Sequence, residues 1–157
     1  MEKKPFITLE QAKDIIKDIP TPFHLYDEKG IRENARALFK AFSWNKGYKE
    51  FFAVKATPNP YIMQILKEEG CGMDCSSYTE LQLCKACGIT GENIMFSSNV
   101  TPVEDMKLAY DLGAYINLDD YTHVEFIKKV CGVPKLFAAV IIPAEFSKCP
   151  TVRIRSR

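Results

Sequence analysis

Glu50-Phe51-Phe52-Ala53-Val54-Lys55-Ala56-Thr57-Pro58-Asn59 is the stretch that decides the fold. Glu50–Val54 is a run of apolar, β-prone residues and predicts a buried strand. Thr57-Pro58 ends the run, and Asn59 can open a helix that Gly70 closes. A strand followed at once by a helix is the unit of a parallel α/β fold. The unusual residue is Lys55, standing where the strand gives way to its loop. Burying an ammonium without a partner is costly, so the ordinary reading is a side chain that snorkels into solvent. In a βα barrel, however, the C-terminal ends of the strands line the active site. A lysine desolvated there has a lowered pKa and can attack a carbonyl carbon.

Outward from this unit the pattern repeats. Cys71–Cys75 predicts a second strand, and Ser77-x-x-Glu80 is a capping box opening a helix that Gly88 closes. Asn93–Phe96 predicts a third strand, and Thr101-Pro102-Val103-Glu104 a second capping box with proline at the first helical position. Ala114–Leu118 predicts a fourth strand, after which Asp120 caps a helix to Cys131. The units recur about every twenty residues, the short period of a βα barrel rather than of a wider doubly wound sheet. Towards the N-terminus, Leu9–Ile19 reads as an amphipathic helix and Pro20-Thr21-Pro22 breaks the chain. Phe23-His24-Leu25-Tyr26 alternates as a strand, and Asp27 caps a helix through Phe42 with Ile31, Ala35, Leu38 and Phe42 at helical spacing.

A complete (β/α)8 barrel takes about 250 residues, whereas this chain has 157 and about four units. The expected fold class is therefore α/β, the N-terminal half of a (β/α)8 TIM barrel, truncated. Residues 1–26 supply a helix and strand leading in, 27–135 the partial barrel, and 136–157 a tail. With 46% hydrophobic and 26% charged residues the composition is that of a soluble globular protein. Lys+Arg number 21 against 20 Asp+Glu, a net charge of +1 that leaves no footprint for nucleic acid or an anionic membrane. No apolar run approaches the roughly 20 residues of a spanning helix. Met1-Glu2-Lys3-Lys4-Pro5 runs into mixed polar sequence with no signal-peptide pattern, so a cytoplasmic location is expected.

Cysteines stand at 71, 75, 84, 87, 131 and 149, and in a reducing compartment they are expected as thiols. Cys71-x3-Cys75 and Cys84-x2-Cys87 invite a zinc reading. The gap between the pairs is shorter than ribbon or finger spacing, and the second pair lies inside a helical pattern. Buried small hydrophobes are the expectation, with no metal.

Several motifs together carry a resemblance. Thr21-Pro22-Phe23-His24-Leu25-Tyr26-Asp27, Ala53-Val54-Lys55-Ala56 and Gly72-Met73-Asp74-Cys75-Ser76-Ser77-Tyr78-Thr79-Glu80-Leu81 occur in order. So do Phe96-Ser97-Ser98-Asn99 and Ile116-Asn117-Leu118-Asp119. From about Thr21 to Lys135 the chain resembles the fold-type III decarboxylases that depend on pyridoxal 5'-phosphate, with an alanine racemase-like barrel. Within them the likeness is greatest to the diaminopimelate decarboxylases. The resemblance implies a carboxy-lyase with a small amino-acid substrate, assembled as a homodimer. Lys55 matches the lysine that holds the cofactor covalently, Ala53 the residue beneath its ring, and Asp74 the acidic residue beside the lysine. Asn99 and Glu80 match recurrent positions, with helix capping the simpler role for Glu80. Thr57 departs from the asparagine usual after Lys-Ala in the family. His24 and His123 do not fall where the family places the histidine that stacks on the ring, and both read as solvated or core residues. Ornithine, arginine and carboxynorspermidine decarboxylases are the alternative within the family, and a non-catalytic cofactor-binding barrel is the alternative outside catalysis.

After Pro134-Lys135 the pattern stops. The family carries Arg-Tyr-Asn-Pro-Gly-Gly on its next strand, whereas this chain reads Leu136-Phe137-Ala138-Ala139-Val140-Ile141-Ile142-Pro143-Ala144-Glu145. Encoding that stretch as CTA TTT GCT GCC GTT ATA ATC CCG GCG GAG and reading from the third base gives Ile-Cys-Cys-Arg-Tyr-Asn-Pro-Gly-Gly. The shifted string restores the expected residues in a row, which predicts a single-base deletion near codon 135 and an out-of-frame tail. The family's ring-nitrogen partner, phosphate loop and stacking histidine all lie downstream, so the chain as written is expected to be inactive. By its own composition, Ala138–Ile142 would pass as a strand.

Overall fold

The computed structural model describes residues 4–141 and 154–156. Helix α1 (Leu9–Asp18) and helix α2 (Glu28–Ala41) precede the first strand, β1 (Phe51–Ala53). There follow α3 (Pro60–Glu68), β2 (Gly72–Cys75), α4 (Tyr78–Ala86), β3 (Ile94–Phe96), α5 (Val103–Asp111), β4 (Tyr115–Leu118) and α6 (Tyr121–Val130). Two last strands are β5 (Phe137–Ile141) and β6 (Ile154–Ser156). The sheet order is β1-β2-β3-β4-β5-β6. The first five strands run parallel and β6 is antiparallel to β5. Sequential parallel order with a helix after each strand is how a βα barrel begins; a doubly wound sheet would reverse its order.

Strand alternation divides the sheet into two faces. Met73, Cys75, Ile94, Phe96 and Ile116 face the helices and are almost wholly buried. They pack with Met63 and Leu66 of α3, Leu81 and Cys84 of α4, Met106 and Ala109 of α5, and Ile127 of α6. This layer between sheet and helices is the core. Cys71, Cys75, Cys84 and Cys87 are all buried free thiols within or beside it, as expected of small hydrophobes. Burial pushes the Cys71 thiol up to about 11.

The helix starts follow their capping residues. Asn59 accepts from the Tyr61 and Ile62 amides with Pro60 at the first helical position, Ser77 from the Glu80 amide and Asp120 from the Thr122 amide at 2.8 Å. The second capping box does not form. Pro102 is itself the cap of α5, and the Thr101 hydroxyl donates to the Ser98 carbonyl at 3.3 Å. Asp27 caps α2 by position, without a side-chain hydrogen bond to the helix.

Phe23–Tyr26 is not the expected strand. It is irregular, because a strand is stabilised by a ladder and no strand of the described sheet pairs with it. The rings of His24 and Tyr26 stack on one another instead, 6.2 Å apart. Helix α1 has its own capping box, Thr8 with Gln11, and none of its residues is buried. The stretch Ala138–Ile142, a strand by composition alone, overlaps β5 at Phe137–Ile141, which pairs with β4, Ile116 opposite Phe137 and Asn117 opposite Ala138. Residues 142–153 of the expected tail lie outside the described residues. No helix among those described is long and apolar enough to cross a membrane.

Candidate functional site

The face of the sheet turned away from the helices is built in levels. Ala53, Asp74, Met95 and Tyr115 stand at one register level on four neighbouring strands. One level toward the N-terminal ends, Phe51 lies opposite Gly72. The Phe51 and Tyr115 rings meet edge to face across this surface, 6.4 Å apart. That contact needs Gly72: a Cβ there would stand 2.6 Å from the Phe51 ring and 2.9 Å from the Asn93 carbonyl oxygen. Aromatic packing thus floors the inner face below Ala53 and Asp74.

Two residues further along each strand, at the C-terminal rim, come Lys55, Ser76, Ser97 and Asn117. Lys55 is not in the strand but in a 3-10 turn, Val54–Ala56, that follows it. The turn buries Val54 completely and presents Lys55 to solvent. The desolvation anticipated for this lysine is therefore absent among the described residues, because nothing they contribute roofs the rim. Ala53 and Asp74 are half-buried just beneath it.

Asn99 sits apart from this group. It is exposed on the β3–α5 loop and donates through Nδ2 to Asp119 Oδ2 at 2.6 Å, linking that loop to the one after β4. Glu80 caps. Its carboxylate accepts from the Ser76 amide at 2.8 Å and the Ser77 hydroxyl at 2.9 Å, holding the turn that follows Asp74.

Ser97 and Asn117 were not singled out individually by the sequence reading. The signal was available, because each stands two residues after an inner-face position, as Lys55 does after Ala53. Asn117 is 8% exposed. Its Oδ1 and the Ser97 Oγ are buried with no hydrogen-bond partner among the described residues. Buried acceptors left in this way cost free energy, and such atoms at a strand rim suit a ligand that brings donors. An exposed primary amine, a nearby carboxylate, a small alanine floor and unpaired polar atoms together fit a polar aldehyde cofactor. No cluster of three or more His, Cys, Asp or Glu residues able to hold a metal occurs among the described residues. The sulfurs of Cys75 and Cys84, 3.4 Å apart, lie behind the sheet in the core. The hydrogen bond it makes to Cys84, with burial, pushes the Cys75 thiol up.

Comparison with known proteins agrees with this geometry. Residues 28–153 match the family model described as pyridoxal-dependent decarboxylase, pyridoxal binding domain. Protein TabA of Pseudomonas amygdali pv. tabaci is 37% identical over 130 residues, which cover 83% of this chain and 30% of that protein. A diaminopimelate decarboxylase of Methanothermobacter thermautotrophicus is 35% identical over 109 residues, 69% of this chain and 26% of that enzyme. Among solved structures, ornithine decarboxylase from Entamoeba histolytica superposes with a TM-score of 0.70 at 27% identity, covering 84% of this chain and 42% of the other. The chain spans about a third of the length of the curated relatives it matches.

Proposed function

The chain belongs to the pyridoxal-dependent decarboxylase family, and we propose that it is the N-terminal part of the cofactor-binding barrel of a diaminopimelate decarboxylase. The whole protein would convert meso-2,6-diaminopimelate to L-lysine and carbon dioxide, as a cytoplasmic homodimer. The observation that carries this reading is the placing of Lys55 at the rim, directly beyond Ala53, with Asp74 beside Ala53 on the next strand.

Lys55 Nζ would hold pyridoxal phosphate, whose ring, when bound, supplies the electron sink that decarboxylation needs. Ala53 leaves room beneath a planar ring, since only a methyl projects there. Asp74 offers a carboxylate to the ammonium form of Lys55 or of an incoming amino acid. Ser97 Oγ and Asn117 Oδ1 offer acceptors at the same rim. Asn99 would act through its bond to Asp119, fixing two rim loops against each other. The preference for diaminopimelate rests on the likeness in 53–69 and 70–83 and on relatives such as the Methanothermobacter enzyme. The similarity to an ornithine decarboxylase keeps that substrate class as the second reading.

The test is direct. Borohydride reduction in the presence of pyridoxal phosphate, followed by peptide mapping, should place the label on Lys55. Label on another lysine, or label retained in Lys55→Ala, would overturn the assignment.

For the tail, the reading is that residues after Lys135 are out of frame. An apolar run such as Phe137–Ile141 pairs as β5 by its own composition, whichever frame encodes it. The nucleotide sequence around codon 135 decides the matter: the idea fails if no shifted frame continues into Arg-Tyr-Asn-Pro-Gly-Gly.

A further inference from the structure

The turn that carries the site from β2 into α4 is held twice. Glu80 binds the Ser76 amide and the Ser77 hydroxyl, and these bonds are internal to the turn and would travel with it. The second hold comes from another element. Asp105, in the first turn of α5, accepts the backbone amide of Tyr78 through Oδ2 at 3.0 Å. Tyr78 is the first residue of α4, so a carboxylate from α5 caps its neighbour's N-terminus. Asp105 is 7% exposed, and a buried acid is tolerated only where donors and a favourable field meet it. The open amides and positive dipole end of α4 provide both.

We propose that Asp105 is a positioning residue for the cofactor site: by tying the first amide of α4 to α5, it fixes where Asp74 and Ser76 stand relative to Lys55 and Ser97. This inference rests on the reading of the rim as a cofactor site. The connection is short, because Asp74 lies four residues before Tyr78, with Cys75 locked in the core beneath. The α5 side of the tie leads to the loop from Ser97 to Thr101, so one carboxylate couples the rim ends of β2 and β3.

The experiment compares the unaltered chain with Asp105→Ala and Asp105→Asn. It measures the pyridoxal phosphate concentration that half-saturates borohydride-trapped labelling of Lys55, beside the thermal midpoint by circular dichroism. Asparagine keeps an acceptor oxygen for the Tyr78 amide, and alanine does not. Asp105→Ala is expected to raise the half-saturating concentration about tenfold, the effect of one charge-assisted hydrogen bond, with Asp105→Asn restoring most of the affinity. Equal labelling curves for the unaltered and alanine forms would overturn the proposal, as would equal weakening by both substitutions. If Asp105→Ala does not fold, the asparagine form decides. Near-normal labelling with slow hydrogen exchange at the Tyr78 amide supports the tie, and fast exchange in the unaltered chain removes it. Failure of the unaltered chain to label at Lys55 would sink the functional reading itself, which is a different result.

Discussion

At the scale of single residues, the inner face of the sheet separates what stabilises from what serves a ligand. Gly72 is needed for packing alone: the Phe51 ring and the Asn93 carbonyl occupy the space a methyl would take. Gly72→Ala should therefore destabilise the chain by roughly 1–3 kcal/mol, the cost of overpacking a fitted contact, read as a lowered denaturation midpoint. Asn117 is the opposite case. Its buried Oδ1 lacks a hydrogen-bond partner among the described residues, so Asn117→Leu should leave the cofactor-free protein as stable or about 1 kcal/mol more stable. The same substitution should weaken labelling of Lys55; a leucine form that is both less stable and fully labelled would contradict this role. The places of Lys55, Ala53 and Asp74 at and just below the strand ends were legible from the sequence, because a lysine after a buried strand is conspicuous and the strand pattern around it is clear. Which of the two readings of Lys55 holds, solvent or desolvation, was not legible. It depends on what covers the rim, which is a tertiary property that no local pattern around Val54 encodes.

At the scale of elements, legibility followed locality. Asn59, Ser77 and Asp120 announced their helices because a cap and its amide lie within three residues. Phe23–Tyr26 failed because alternation specifies a strand only where a partner strand exists to receive it. Thr101 failed because its hydroxyl found the Ser98 carbonyl first, a competition that side chains of this type always offer. The α2–α3 contact was invisible to pattern reading, yet it carries a charge cluster. Glu69 accepts from Arg36 at 2.6 and 2.7 Å and from Arg32 at 3.0 Å, and Arg32 also meets Glu28 and Glu68. The Arg36 and Arg32 guanidinium groups draw the Glu69 carboxyl down to about 2. A carboxyl whose pKa is depressed on folding stabilises the fold above its ordinary value, and that contribution fades as pH falls toward the folded value. The thermal midpoint of the unaltered chain should thus exceed that of Glu69→Gln at pH 6, and the gap should narrow between pH 4.5 and 2. A gap that widens on acidification would show that the cluster does not stabilise the α2–α3 contact.

At the scale of the molecule, strand order settles what the described residues can do. Five parallel strands follow one another in sequence and a sixth turns back antiparallel on β5, so among the described residues β1 has an open outer edge. A (β/α)8 barrel closes by pairing its first strand with its last, and its phosphate sites lie in the loops after the seventh and eighth strands. Lys55 and Asp74 stand on strands that form no closed ring among the described residues, and the exposure of Lys55 is the local sign of this. An amine that is to act on a bound cofactor needs a site closed to water. Nothing in the described rim excludes water from it. The 157-residue chain, given saturating pyridoxal phosphate and meso-diaminopimelate, is therefore expected to release no carbon dioxide above background, even where Lys55 accepts label. On the proposed reading of an out-of-frame tail, restoring the frame after Lys135 and supplying the remainder of the gene should give a protein that decarboxylates meso-diaminopimelate as a homodimer. Carbon dioxide evolution from labelled substrates checks both statements. Release only from ornithine or arginine by the restored protein would move the assignment to the second substrate class. Turnover by the chain as it stands would mean that five strands and an exposed lysine suffice, and the argument from barrel closure would have to be abandoned.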